Sequence, residues 1–389
     1  MKEINFTENK RYHRSKNSGV LVNSDTFKQR LNQLIPKAKD KVYIQAMTFE
    51  GDEVGKWLMN LLLQCPAKDI RLCVDSYSKF VINDHFVPGT KFLFDKTFRD
   101  EVLQTNKLLK LARKNGIKVT ITNPLGFLFL KYPFRNHKKI VVIDDVSFVG
   151  GINFSEHNFE WHDMMLELHD SDLSNLLQED IRSTGMRINQ DMKFMMNNFD
   201  LYFLDGWNSR KKYAEIFSTL SHAKKSIHIF SPYISDPLLS FIKTNIPSQI
   251  DLNIISPQQN NKSLFKSLLM NEASYGYFKL WFFQNHMSHL KAILIDDKTL
   301  ICGSSNFDFV SYYFEQEVVL VTTDEQTVSE FVSKIKDPDM RNSILANPSY
   351  ITKNYFAHFF YQIIKISCMI LAFANAFCIS ILVTKSKVK

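Results

Sequence analysis

Two stretches of this 389-residue chain carry a histidine, a lysine two positions on, and an aspartate five positions after that: His137, Lys139, Asp144 and His289, Lys291, Asp296. One imidazole can attack phosphorus while a second hands a proton to the leaving oxygen, and lysine ammoniums can meet the charge that builds on the phosphoryl oxygens. Two such sets in one chain therefore point to phosphoryl transfer through a covalent phosphohistidine. Along extended backbone, side chains two apart face the same way, so each His-Lys pair is expected to project together. Asp144 and Asp296 fall at strand ends, where they are expected to brace the turn and the interface between halves rather than touch substrate.

The second copy continues through six residues to Gly303, Ser304, Ser305 and Asn306. The first reaches Gly150, Gly151, Ile152 and Asn153 one residue sooner, with Ile152 where the other copy has serine. Gly151, Asn153, Ser304 and Asn306 are candidate phosphate-binding positions, the asparagines adding donors. His85, His157, His228 and His286 lack such company and read as surface or satisfied core groups.

With this spacing and tail, both copies resemble the HKD motifs of the phospholipase D superfamily, over roughly residues 17 to 330. The flanking RNHKKIVVID, the Trp161-His162-Asp163 run, IHIFSPYI and NFDFVSYYFEQEV look like bacterial cardiolipin synthases. The resemblance implies an α/β fold: two duplicated α/β/α sandwich halves packed about a pseudo-twofold axis, bringing both His-Lys pairs into one cleft. It implies His137 as nucleophile and His289 as general acid/base. It also implies a carboxylate on the far ring nitrogen of each histidine, supplied after the opposite motif's tail, which marks Asp163 and Glu317. The substrate implied is a phospholipid such as phosphatidylglycerol, with no cofactor and no metal, and with no oligomer needed to complete the site. The commonest cardiolipin synthases carry two N-terminal membrane segments, a pattern this sequence departs from. Two other readings fit the motif: a metal-independent nuclease of the same superfamily, favoured by a basic N-terminal arm, and a non-catalytic lipid-binding or envelope protein.

The elements that must position these residues recur in the same order twice. In the first half, helix over 26–35, strand over 41–48, helix over 55–63, strand over 70–74, helix over 107–114 and strand over 117–122 lead to the motif strand 139–143. In the second, helix over 211–223, strand over 226–230, helix over 236–243, strand over 251–255, helix over 262–270 and strand over 277–282 lead to 291–295. Apolar runs alternating with helices argue for a largely parallel sheet in each half. The expected division is a basic arm (1–16), a first half (17–170), a polar, helical linker (171–204), a second half (205–335) and a tail (336–389). Residues 76–100 have no counterpart in the second half, and their Phe, Val and Leu content suggests a lid or a membrane-contacting flap.

A hydrophobic content of 45% is ample for a packed core and excludes disorder of the whole chain. Much of the net charge of +8 lies in residues 1–41, with ten Lys or Arg against four acids, a charge that suits anionic headgroups or nucleic acid. Cys65, Cys73, Cys302, Cys368 and Cys378 form no CxxC pair and no His/Cys cluster, so neither zinc nor a disulfide framework is indicated. No cleaved signal pattern opens the sequence. Residues 366–384 are uncharged; at ~1.5 Å per residue a helix there spans roughly 28 Å, about one hydrocarbon core. Tyr355, Phe356, Phe359, Phe360 and Tyr361 precede it and Lys385, Lys387 and Lys389 follow, so a single C-terminal membrane segment is expected, with an interfacial helix as the alternative given Asn375 and Lys365. The expected location is the membrane, with a cytoplasmic catalytic body.

Overall fold

In the computed structural model, residues 18–347 are described except 88, 127, 128, 130, 185–191 and 197, together with 359, 361–367, 369–371 and 373. The first sheet joins β1 (Ser18–Val22), β2 (Lys41–Ala46), β3 (Asp69–Asp75), a small separate hairpin of β4 (Val81–Ile82) and β5 (His85–Phe86) intervening, then β6 (Lys118–Thr122), β7 (Ile140–Ile143), β8 (Val146–Gly150) and β9 (Met164–His169), in the order β1-β9-β8-β7-β2-β3-β6. The second joins β10 (Met192–Met195), β11 (Phe199–Asp205), β12 (Ser226–Phe230), β13 (Asp251–Pro257), β14 (Lys279–Phe283), β15 (Ala292–Ile295), β16 (Thr299–Gly303), β17 (Gln316–Thr322) and β18 (Ser343–Leu345), in the order β10-β11-β17-β16-β15-β12-β13-β14-β18.

The expectation of largely parallel sheets is corrected. Only β2 with β3, β3 with β6, β12 with β13, and β13 with β14 pair parallel among the described strands. Each motif strand turns straight back as a hairpin, β7 onto β8 and β15 onto β16. The apolar runs arise because both faces of each sheet are covered, whatever the strand direction. Along β7, Ile140 and Val142 face the core shared by the two halves while Val141 and Ile143 face the outer helices; Ala292 and Leu294 against Ile293 and Ile295 repeat this in β15. The shared core also takes Leu173, Leu177 and Ile181 of the helix Ser171–Ser183, and Val328 and Phe331 of the helix Glu325–Phe331. Outer helices Asn23–Leu34, Glu53–Leu63 and Lys96–Lys114 cover one sheet; Arg210–Ser218, Leu238–Asn245 and Ser263–Ala273 cover the other.

One further expectation changes. The expected helical linker 171–204 has a helix over Ser171–Ser183, but its Met192–Met195 and Phe199–Asp205 are strands of the second sheet. Residues 76–100, which have no counterpart in the second half, contain the short helices Tyr77–Phe80 and Thr90–Phe94, the β4-β5 hairpin and the start of the long helix Lys96–Lys114. The basic arm (1–16) lies outside the described residues, as does most of the 366–384 segment. Among the described residues no helix is long and apolar enough to cross a membrane.

Candidate active site

Each motif histidine stands just ahead of its strand, on extended backbone that reaches across to the other half. Asn136 bridges Gln316, and His137 N donates to Gln316 O (2.9 Å). Ser288 bridges His162, and His289 N donates to His162 O (2.7 Å). The residue after each acceptor is a carboxylate aimed at the ring just anchored. Glu317 Oε1 lies 2.9 Å from His137 Nδ1, and Asp163 Oδ2 lies 2.7 Å from His289 Nδ1. With Nδ1 so engaged, Nε2 of each ring is left for the cleft of about 110 Å³ that both histidines line together with Asn153 and Asn306. Asn153 is held by donation from Thr48 N to its Oδ1 (3.2 Å), whereas Asn306 Oδ1 is buried without a partner among the described residues.

The two motif lysines reach back to their own histidines. Both are buried and neither lines the cleft. Lys139 Nζ donates to His137 O (2.7 Å); Lys291 Nζ donates to His289 O (2.5 Å) and lies 2.8 Å from His289 Nδ1. Burial pushes Lys139 down to about 7 and Lys291 down to about 8, with Glu317 and Asp163 respectively opposing. Burial, then the neighbouring lysine, holds both imidazoles well below the ordinary histidine range. Burial lifts Asp163 to about 6, against the pull of Lys291, and raises Glu317 as well.

Gly151 and Ser304, expected at the phosphate, do not line the cleft. A Cβ on Gly151 would stand 2.3 Å from Asp163 Oδ1, so glycine there makes room for the carboxylate. Ser304, at the same place in the second copy, donates its hydroxyl to Glu317 Oε2. Asp144 and Asp296 sit at positive φ (48° and 54°) in the hairpin turns. Asp144 accepts from the backbone N–H groups of Lys39, Asp40 and Lys41, and Asp296 from those of Lys224, Lys225 and Ser226. They brace a turn, as expected, but within their own half rather than at the interface. Those turns also explain the uneven tails: Ile143 pairs with Val146 across two residues, while Ile295 pairs with Thr299 across three. Ile152 packs in the first half's outer core, so its replacement of serine leaves the cleft untouched.

Several cleft residues escaped the sequence reading. Glu315 Oε2 lies 3.9 Å from His137 Nδ1, and burial raises its carboxyl to about 7. Ser311 Oγ stands 2.8 Å from Glu317 Oε1 and 3.1 Å from Glu315 Oε2, and since one hydroxyl proton cannot serve both, the second contact calls for a proton on a carboxyl. The spacing of two from Glu317 was its one signal. His137, Glu315 and Glu317 offer three ligand atoms within 4.8 Å of one another, but serine hydroxyls already engage both carboxylates. The Trp161 ring packs 4.9 Å from that of His289. Lys262 reaches the cleft over Tyr233 (4.4 Å to the ring centre), and buried Glu50 is pushed up to about 9 by burial and Glu101; neither has any motif signal.

The family model described as "Cardiolipin synthase, PLD-like domain" matches residues 31–184 and 216–337. Cardiolipin synthase 1 of Bacillus anthracis is 25% identical over 370 residues, covering 83% of this chain and 66% of that protein. Minor cardiolipin synthase ClsB of Bacillus subtilis (strain 168) is 26% identical over 276 residues, covering 64% and 67%. The chain thus spans about two thirds of the length of these relatives. Among solved structures, phosphatidylserine synthase of Haemophilus influenzae Rd KW20 superposes with a TM-score of 0.68 at 13% identity over 91% of this chain and 95% of that one. Polyphosphate kinase from Porphyromonas gingivalis gives 0.59 at 9% identity over 86% and 49%. At such identities the likeness is one of fold.

Proposed function

The chain belongs to the cardiolipin synthase, phospholipase D-like domain family, and from that premise we propose that it transfers phosphatidyl groups at a membrane surface through a phosphohistidine on His137. The observation that carries this reading is the cross-bracing: two histidines in one cleft, each fixed at Nδ1 by a carboxylate of the opposite half.

The environments of the two rings differ in a way that supports distinct roles. Glu317 accepts from His137 Nδ1–H, leaving a lone pair on Nε2 for attack. His289 Nδ1 faces the Lys291 ammonium as well as Asp163, so this ring can carry its proton on Nε2. His137 Nε2 bonds to phosphorus of a donor such as phosphatidylglycerol, and the bond from phosphorus to the headgroup oxygen breaks. The leaving oxygen takes the Nε2 proton of His289, which draws one from Lys291 at Nδ1 and stays neutral. In the second step an acceptor hydroxyl returns its proton by the same route and attacks phosphorus, and the P–N bond breaks. The Asn153 and Asn306 amides stand at the cleft wall as donors, and the lysines supply positive potential from behind the rings.

Purified protein incubated with phosphatidylglycerol is expected to release glycerol and form cardiolipin, or phosphatidic acid where water is the acceptor, and His137→Ala is expected to form neither. Wild type and His137→Ala equally inert on phosphatidylglycerol and other glycerophospholipids would overturn the reading.

A further inference from the structure

We propose that the segment 77–99, joined by Phe129 and Tyr132, is the surface by which the protein docks on an anionic phospholipid bilayer, with the cleft mouth opening beside it. The inference rests on the lipid-substrate reading above and names the face that meets the lipid. Leu93 and Phe94 are 68% and 85% exposed, at the end of a short helix, Thr90–Phe94, that has no buried residue. They are held outward by construction: Arg99 Nη1 donates to the carbonyls of Phe92 (3.1 Å) and Leu93 (2.8 Å), and Asp95 caps the next helix by accepting from Phe98 N (3.1 Å). Earlier in the same segment, half-exposed Phe86 meets Phe129 edge to face at 6.0 Å, Phe80 also packs on Phe129, and Tyr132 packs on Phe86. Large apolar side chains left exposed on one such segment mark a docking surface.

Two features select a bilayer as the occupant. The segment 79–99 has four basic residues, Lys79, Lys91, Lys96 and Arg99, against two acids, and exposed Lys131 adjoins the aromatic group. Asp84 accepts from Asn261 across the cleft and Asp95 caps a helix, and the segment keeps a net positive charge beside its exposed apolar side chains, the pattern that suits anionic headgroups over acyl chains. The segment also reaches the site, because its Tyr77 and Asp84 line the cleft. A lipid in the bilayer under this face can therefore reach the histidines without first leaving for water.

The test is flotation of the full chain with phosphatidylglycerol vesicles and with phosphatidylcholine vesicles, comparing wild type with Leu93→Ser/Phe94→Ser, alongside turnover of phosphatidylglycerol in vesicles and of a short-chain phosphatidylglycerol below its micellar concentration. Wild type is expected to bind phosphatidylglycerol vesicles more tightly than phosphatidylcholine ones. The double variant is expected to lose roughly tenfold in vesicle binding and vesicle turnover, with short-chain turnover kept. Unchanged flotation of the variant would overturn the proposal, as would sedimentation showing that the substitutions abolish a dimer and leave vesicle binding intact. If neither substrate is turned over by wild type, the catalytic reading fails while flotation still decides the docking face.

Discussion

At the scale of single residues, the site depends on groups whose charges are unsettled by burial. Lys139 and Lys291 have no exposed surface to speak of, and their ammoniums are pushed down to about 7 and about 8. A group with a lowered basic pKa loses its charge as pH rises through that value, so the positive potential behind the rings and the proton relay through Lys291 both fade between about pH 7 and 8. The pH profile of kcat/KM is therefore expected to fall on its alkaline side within that window, while low imidazole pKa values keep His137 unprotonated well into mild acid. A profile flat to pH 9 would show that neither ammonium is needed. The paired motifs made these residues legible because phosphoryl transfer demands those side chains. Lys262 and Glu50 were not legible, since a helix start and the connection between a strand and the next helix place them in the cleft without any fixed spacing to a motif.

At the scale of elements, the aspartates that complete each motif act on folding rather than chemistry. Burial works against the ionised form of Asp144, but three backbone N–H groups hold it below the usual carboxylate range. A lowered acid pKa stabilises above the unfolded value and is lost as pH falls through the folded one, so this contribution is in place at neutral pH. Asp144→Ala removes the acceptor and leaves a residue poorly suited to φ 48°, and is expected to cost about 1–3 kcal/mol in urea denaturation with kcat of the folded fraction unchanged. A comparable fall in kcat at full stability would assign it to the chemistry instead. The sequence made the strands visible as apolar runs but hid their direction: Val141 and Ile143 are as buried as Ile140 and Val142, and a strand covered on both faces looks the same in either pairing. The shortened first tail likewise gave no hint that a two-residue turn, rather than a defect in the site, was its cause.

At the scale of the whole molecule, the two halves exchange parts. The bridges Asn136–Gln316 and His162–Ser288 thread each histidine into the other half, where Glu317 or Asp163 waits for it. Asp163, a residue of the first half, should therefore govern the proton that the second half's His289 delivers. Asp163→Asn is expected to slow turnover of an alkyl phosphodiester by on the order of 10²-fold, and much less with a p-nitrophenyl leaving group, which departs without a proton. Equal losses on both substrates would place Asp163 outside that step. The central claim is the covalent intermediate itself, and rapid quenching of the protein with phosphatidylglycerol, followed by mass spectrometry of its peptides, tests it directly. A phosphatidyl adduct on His137 is predicted in the wild type and none in His137→Ala, nor in His289→Ala, where the glycerol oxygen lacks the proton it needs to leave; product formation by the wild type with no adduct on His137 would contradict the account.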